Sequence, residues 1–432
     1  VTILSARTSL RVAVLAHASP RYSSGGGEIA AQRECELLRE LGIDALLAGA
    51  ILRPNNQFAP SVEMVNSNEA IFAINDYDMI HEIWKDNQGV TDLINLVYRH
   101  EPDIVHLHHC WHIGLNTMVR MKRRLPGTRF VLTLHEMLAI CINHGQMVRT
   151  TGELCRRYDR VACNGCFPDR SVQSIERRRM AYMSVFQLMD FYIYPSEFIR
   201  ARFEAWGLEK AKGMVLENVL DRRAESAMSD NPREAGDFDQ RRFGFFGQAT
   251  SFKGLNILIK AAAIAKTRTS DFVVYIYGAT RERVEQFFPE LRQTIDALGP
   301  AVLFAGRYAA SDVYRLMSRC DWIVVPSIWW ENSPVVIQEA MAANVPLIVS
   351  DIGGMAEKVR PDLDGLHFRV GDYVDLADKI SRTATRRRAQ EIRKTMARPI
   401  SEEAFLKGLE KAFATPLIEG PANVPSELAL GS

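Results

Sequence analysis

The stretch ENSPVVIQEA, residues 331–340, sets two carboxylates around a run that otherwise reads as the buried start of a helix. The strand-like DWIVVPS leads into it, and Ser333 followed by Pro334 has the pattern of an N-cap and a first helical residue. Val335, Val336, Ile337, Ala340, Met341 and Ala343 surround this helix with apolar side chains. Glu339 is therefore a carboxylate in a burial context, costly unless donors meet it. A ribose diol offers two donors, and an internal arginine would serve equally. Glu331 stands just ahead of the cap, where free N–H groups and the positive dipole end attract anions. Its plainer role is a surface residue complementing the dipole.

Other clusters could do chemistry. HLHHCWH holds His106, His108, His109 and His112, and the first two share one strand face, a geometry suited to metal. No carboxylate lies at helpful spacing, so lining a binding surface is the better expectation. Cys141, Cys155, Cys163 and Cys166 crowd one short stretch that ends in a C-x-x-C pair. Four thiolates would close a structural zinc site, while reduced thiols or disulfides are the alternatives. DYD, DFD and DLD match an Asp-x-Asp metal pattern, but none follows a strand suitably.

These residues need elements to hold them. Short apolar runs alternate with helical patterns: RVAVLAH then IAAQRECELLRELG, DIVHLHH then GLNTMVRMKRRL, RFVLTLHE, DFYIYPS then EFIRARFEAWG. A second series runs from RRFGFFGQ through GLNILIKAAAIAK, DFVVYIYG, AVLFAG, DWIVVPS and PLIVSD. Such alternation marks βαβ units and parallel sheets, so two doubly wound α/β halves are expected, with ligands at the carboxyl ends of strands. The expected boundaries are 1–217 with a Cys-rich insertion at about 136–170, 218–398, a last helix at 399–415, and a disordered tail at 416–432. Residues 221–240 read as the linker. With 432 residues, 24% charged residues and a formal net charge of +1, the composition is that of a globular protein and gives no global charge for nucleic acid. No run is long and apolar enough to span a membrane, and the first residues only superficially resemble a signal peptide, because Arg11 and His17 interrupt them. A cytoplasmic chain is expected.

The segment PSIWWENSPVVIQEAMAANVPLIVSDIGGMAEKV resembles the signature of the retaining glycosyltransferases of family 4, with its Glu-x7-Glu motif. GGGEIAAQRECELLRELG, PDIVHLHH, TLHE, YPSEFIRARFEAWG, FFGQATSFKGLNILIKA, FAGRYAASDVYRLMSRCDWIVVPS and DGLHFRVGDYVDLADKI extend the likeness in order over most of the chain. The resemblance implies the GT-B fold, two Rossmann-like halves facing a cleft, with a C-terminal helix returning to the first half.

It also implies roles. Gly25, Gly26 and Gly27 would admit the donor diphosphate to backbone N–H groups; Lys253 would meet that diphosphate and assist its departure. His135 would stand near the donor sugar, Glu331 would bind sugar hydroxyls, the backbone of Asn332 and Ser333 would meet sugar or phosphate, and Glu339 would take the ribose. Trp329 or Trp330 could offer a stacking face. Many members carry arginine where Gln248 follows Gly247 here, so one expected positive charge is missing, with Arg307 or Arg242 as substitutes.

The expected activity is retaining, metal-independent transfer of a sugar from a nucleoside-diphosphate donor to an acceptor hydroxyl in polysaccharide or other glycan assembly. No cofactor is required for catalysis. A sugar-nucleotide epimerase of the same fold and a decayed carbohydrate- or nucleotide-binding protein are the alternatives. The acceptor is a glycan, a lipid-linked molecule or a small molecule. The amphipathic, basic TMVRMKRRL adds an expected peripheral contact with anionic membrane at its inner face.

Overall fold

A computed structural model describes residues 10–23, 25–52, 61–81, 83–221 and 240–414. Most of the expected linker, residues 222–239, and the whole expected tail, 416–432, lie outside the described residues. The chain divides into two compact units, one of Val1–Val219 with Ile400–Ser432 and one of Leu220–Pro399.

The first unit is built on strands β1 (Arg11–Ala16), β2 (Asp44–Leu52), β3 (Val62–Asn66), β4 (Glu69–Ile74), the short pair β5 (Tyr77–Asp78) and β6 (Ile83–Trp84), then β7 (Ile104–His108), β8 (Arg129–Thr133), β9 (Phe191–Tyr194) and β10 (Gly213–Val215). Eight of them form one sheet in the order β10-β9-β8-β7-β1-β2-β4-β3. All neighbours are parallel except the edge pair β3 and β4. From β1 the chain winds outward to β2 on one side and later to β7 on the other, so the topological switch lies between β1 and β7. Strands β7 and β8 are buried at every position, as parallel strands covered on both faces must be. The helix Glu402–Ala414 packs into this unit, where Arg129 Nε donates to the Ala412 carbonyl at 2.8 Å and Arg33 pairs with Glu402 at 2.5 Å.

The second unit carries β11 (Arg241–Phe246), β12 (Phe272–Tyr277), β13 (Val302–Gly306), β14 (Trp322–Val325), β15 (Leu347–Ser350) and β16 (Gly365–Phe368), ordered β13-β12-β11-β14-β15-β16. This is the Rossmann order, with its switch between β11 and β14. Alternate strand residues divide between two cores. Phe243, Phe245, Val324 and Ile348 join the helix Leu255–Lys266. Ile323, Val325, Leu347 and Val349 join the helix Val335–Ala342.

Sequence patterning passed over β2, β4 and the helix Asn87–His100. It also placed one helix start a residue early: the helix begins at Val335 with Pro334 in the cap position, and no side chain caps it. Ser333 is thus not the N-cap. Its hydroxyl instead accepts from Gln338 Nε2 at 3.2 Å.

Candidate active site

In the second unit the loops leaving β11 and β14 meet at the switch. Gly254 holds them together: it has φ +68°, and a Cβ there would strike the carbonyl of Pro326, just past β14. Only glycine allows both the left-handed turn and the approach. The preceding Lys253 is thereby delivered to Glu331, with Nζ 2.6 Å from Oε1. Ser327 Oγ and Trp329 Nε1 donate to the same oxygen, each at 2.9 Å. Three donors on one oxygen stabilise a carboxylate that is only 7% exposed. Its backbone is held too, since Gly354 N–H donates to the Glu331 carbonyl at 2.7 Å and a Cβ on Gly354 would overlap the Asn332 carbonyl.

Glu339 is different. It sits partly buried on the helix Val335–Ala342, and desolvation pushes its carboxyl up to about 7. Its side chain makes no hydrogen bond or ion pair with any described residue, so no described arginine explains it structurally. Tyr308 lies within electrostatic reach. Such a carboxylate is suited to accept hydrogen bonds from a ligand. Asn332 and Ser333 are half-buried between the two glutamates.

Of the two arginines expected to replace the missing cation, Arg307 follows the end of β13 and Arg242 lies on β11. Gln248 and Arg307 are exposed, and Arg307 has no ion pair among the described residues. Arg242 lies at the start of β11, where its N–H meets Asp321 at 2.9 Å, whereas Gln248 follows the end of that strand. Roughly 13 Å of strand separates the two backbone positions, so Arg242 does not substitute there.

In the first unit histidines gather past the ends of β1, β7 and β8. His109 and His112 both adopt left-handed backbone, φ 71° and 61°, unusual for non-glycine residues and typical of functional loops. His112 Nδ1 donates to the His17 carbonyl at 2.8 Å, and Trp111 stacks on the His17 ring at 5.7 Å. His109 Nε2 stands 2.7 Å from Glu136 Oε1, and His17 Nε2 3.6 Å from Glu28 Oε2. Gly25 is the N-cap of the helix Gly26–Glu40 with ordinary φ of −71°. Gly27 is needed for space: its Cβ would lie 3.1 Å from His17 Cε1 and 3.3 Å from His135 Cδ2. The glycine triplet therefore brings the helix start against His135. Buried Arg178 steadies the segment after His135 by donating to the carbonyls of Leu138 and Ala139 at 2.8 and 2.9 Å.

Beneath lies a buried network. Glu34 Oε1 is 2.6 Å from His106 Nδ1, Glu34 Oε2 is 3.1 Å from His108 Nε2, His108 Nδ1 is 3.0 Å from His135 Nε2, and His106 Nε2 is 2.7 Å from Thr133 Oγ1. Burial alone would raise the Glu34 carboxyl, but the His106 and His108 rings hold it down to about 2. Burial, reinforced by neighbouring rings, lowers His108 and takes His135 well below the ordinary imidazole value.

The four cysteines expected as zinc ligands all lie in the first unit. Cys141, Cys155, Cys163 and Cys166 are free thiols. Cys141 feels Cys163 and Cys155, yet among the described residues the group of three ligand atoms within 4.8 Å of one another is Glu34, His106 and His108, not three sulfurs. Burial pushes the Cys141 thiol up to about 11. On the basic helix Leu115–Arg124, Lys122 pairs with Asp190 at 2.6 Å, Arg120 donates to Thr91 at 2.8 Å, and Arg124 lies 3.4 Å over the Tyr98 ring.

Each unit matches a glycosyltransferase family model: Glycosyltransferase Family 4 over residues 24–223 and Glycosyl transferases group 1 over residues 240–386. The fold is that of the GT-B glycosyltransferases. An uncharacterized glycosyltransferase of Methanocaldococcus jannaschii is 29% identical over 129 residues, 30% of this chain and 32% of that protein. An N,N'-diacetylbacillosaminyl-diphospho-undecaprenol alpha-1,3-N-acetylgalactosaminyltransferase of Campylobacter jejuni is 38% identical over 73 residues, 17% of this chain and 19% of that protein. The chain thus matches a third or less of the length of these curated relatives. Among solved structures, Anabaena HepE with UDP has TM-score 0.61 at 19% identity, covering 93% of this chain and 95% of that one. Sucrose-phosphate synthase from Thermosynechococcus elongatus has TM-score 0.61 at 17% identity, covering 93% and 96%. These likenesses concern the fold.

Sequence reasoning missed Glu28, Glu34, His17, Ser327, Gly254 and the Gly353–Gly354 pair. Glu34 had a readable signal: it lies at i+3 from Ala31 and i−4 from Leu38, on the apolar stripe of its own helix.

Proposed function

We propose that the chain transfers a sugar from a nucleoside-diphosphate donor to an acceptor hydroxyl, with retention of configuration and without a catalytic metal. The observation that carries this reading is Glu339, a desolvated carboxylate without a side-chain partner among the described residues at a Rossmann switch helix, suited to a ribose diol. Lys253 meets the donor diphosphate, so that as the anomeric carbon–oxygen bond breaks its ammonium takes up the charge leaving on phosphate. Glu331, held by three donors, orients sugar hydroxyls, while Asn332 and Ser333 meet sugar or phosphate through their backbone. His135 meets the donor sugar, and Gly25–Gly27 the diphosphate. The acceptor attacks on the face from which the diphosphate departs, and a leaving-group phosphate oxygen takes its proton. Solved proteins of similar fold hold UDP and UDP-glucose, which makes a uridine donor the first to try. A glycan or lipid-linked acceptor, handled in the cytoplasm, completes the proposal. No helix among the described residues is long and apolar enough to cross a membrane.

The test is a melting-temperature panel of nucleotide sugars followed by turnover of the donor that stabilises the protein. The transferred sugar should keep its anomeric configuration by NMR. Brief EDTA treatment should leave initial rates within about twofold, whereas a catalytic metal would be worth several kcal/mol. An inverted product, an epimerised donor, or a rate loss restored by magnesium or manganese would contradict the reading.

A further inference from the structure

The buried network under His135 has a direction that hydrogen-bond chemistry fixes. Glu34 is 0% exposed, His106 1% and His108 3%, so water does not share their hydrogen bonds. A carboxylate can only accept. The protons facing it must therefore sit on His106 Nδ1 and His108 Nε2. A neutral imidazole carries one N–H, so His108 Nδ1 is left with a lone pair. Its partner at 3.0 Å, His135 Nε2, must then be the donor. A neutral His135 that donates from Nε2 has its lone pair on Nδ1. At the other end, His106 Nε2 lies 2.7 Å from the Thr133 hydroxyl, which can donate or accept.

We infer that Glu34 is a positioning residue that, through His108, sets the His135 tautomer so that Nδ1 is a hydrogen-bond acceptor. This rests on the reading that His135 meets the donor sugar. An acceptor nitrogen takes a hydrogen bond from a sugar hydroxyl and repels a carboxylate oxygen, so the relay favours a neutral hydroxylated sugar over a uronate at the contacted position. Glu34 sits on the same helix whose first turn, at Gly27, touches the His135 ring, so one element both places that ring and selects its tautomer. Among the titratable groups around His135, the rings of His108, His17, His109 and His106 disfavour a second proton, while the carboxylates Glu28 and Glu136 face His17 and His109.

Long-range proton–nitrogen correlation spectra of the full chain labelled with 15N-histidine, recorded at about pH 7, test this directly. The His135→Asn spectrum assigns the resonance. The expected result is a protonated Nε2 and an unprotonated Nδ1 on His135. Glu34→Gln should mix or reverse that tautomer and lower kcat about tenfold with little change in donor KM, and Glu34→Asp should recover part of the loss. Protonated Nδ1 in the wild type, or an unchanged tautomer in Glu34→Gln, would overturn the relay. So would one equivalent of metal lost specifically on replacing Glu34. If Glu34→Gln does not fold, the wild-type spectrum still decides. The predicted tautomer together with full turnover by His135→Asn would leave the relay standing and overturn the role of His135 at the donor sugar.

Discussion

Lys253 Nζ stands 2.6 Å from Glu331 Oε1, so two residues assigned from sequence to different parts of the donor are partners of one another. The ammonium is already oriented before a ligand arrives, and its partner Glu331 is only 7% exposed. Lys253→Gln should lower turnover by about 10²–10³-fold, the range for loss of one preorganised charge-stabilising group. Because the Lys253 side chain is 38% exposed, the pair contributes little to folding. Calorimetry should find the melting temperature within about 3 °C of wild type. A large drop in stability with little change in rate would make the pair structural.

Glu339 gives the nucleotide site a pH signature. Its carboxyl is raised to about 7 by desolvation, so below that pH it holds a proton and cannot accept two hydrogen bonds from a diol. Nucleoside-diphosphate affinity should rise as pH increases toward 7, and binding near neutrality should release a fraction of a proton, read from calorimetry in buffers of different ionisation heat. Because the folded pKa lies above the unfolded one, this group destabilises the free protein as pH climbs from about 4.5 to 7. Glu339→Gln should therefore be more stable than wild type above pH 7, by about 1–3 kcal/mol, and lose the proton release. Release that persists in Glu339→Gln would assign the titration elsewhere.

His112 acts in the opposite direction. Burial, the largest influence, lowers its ring to about 4. The unfolded chain takes up the proton first as pH falls, so stability present above about pH 6.5 is lost progressively towards pH 4, by up to roughly 3 kcal/mol. His112→Asn, which tolerates the left-handed backbone, should flatten the dependence of melting temperature on pH across that window. An unchanged slope would place the acid sensitivity on other groups.

What the sequence revealed follows from which interactions are local. Strands such as Ile104–His108 are continuous apolar runs because both faces are covered, and that is visible without a structure. The run Asp44–Leu52 is equally apolar, but it was not separated from the long region before DIVHLHH. The carboxylates of ENSPVVIQEA stood out because charge inside an apolar helix pattern is locally anomalous. Their partners were not legible. Lys253 reaches Glu331 only because Gly254 packs on Pro326, a contact between loops distant in sequence. The place of Glu34 on an apolar helix stripe was readable, but its partners were not, since β7 brings the two histidines to it. The cysteine spacing suggested a metal, but spacing alone did not make the sulfurs converge.

That last point is measurable. Four free thiols without a convergent site predict well under one zinc per purified chain by elemental analysis. After unfolding without chelator, the four should be among those that react with a thiol reagent. Zinc near one equivalent, lost in Cys163→Ser, would show that metal draws this segment closed.

The central claim is that Glu339 holds the nucleotide and Glu331 orients the sugar. Titration calorimetry of UDP into the wild type, Glu339→Gln and Glu331→Gln, beside steady-state turnover of the full donor, tests it most directly. Glu339→Gln should weaken UDP about 10–100-fold, the value of a hydrogen bond to a charged acceptor. Glu331→Gln should leave UDP affinity within about threefold while turnover falls at least about tenfold. Equal loss of UDP binding in both folded variants, or none in Glu339→Gln, would contradict the account.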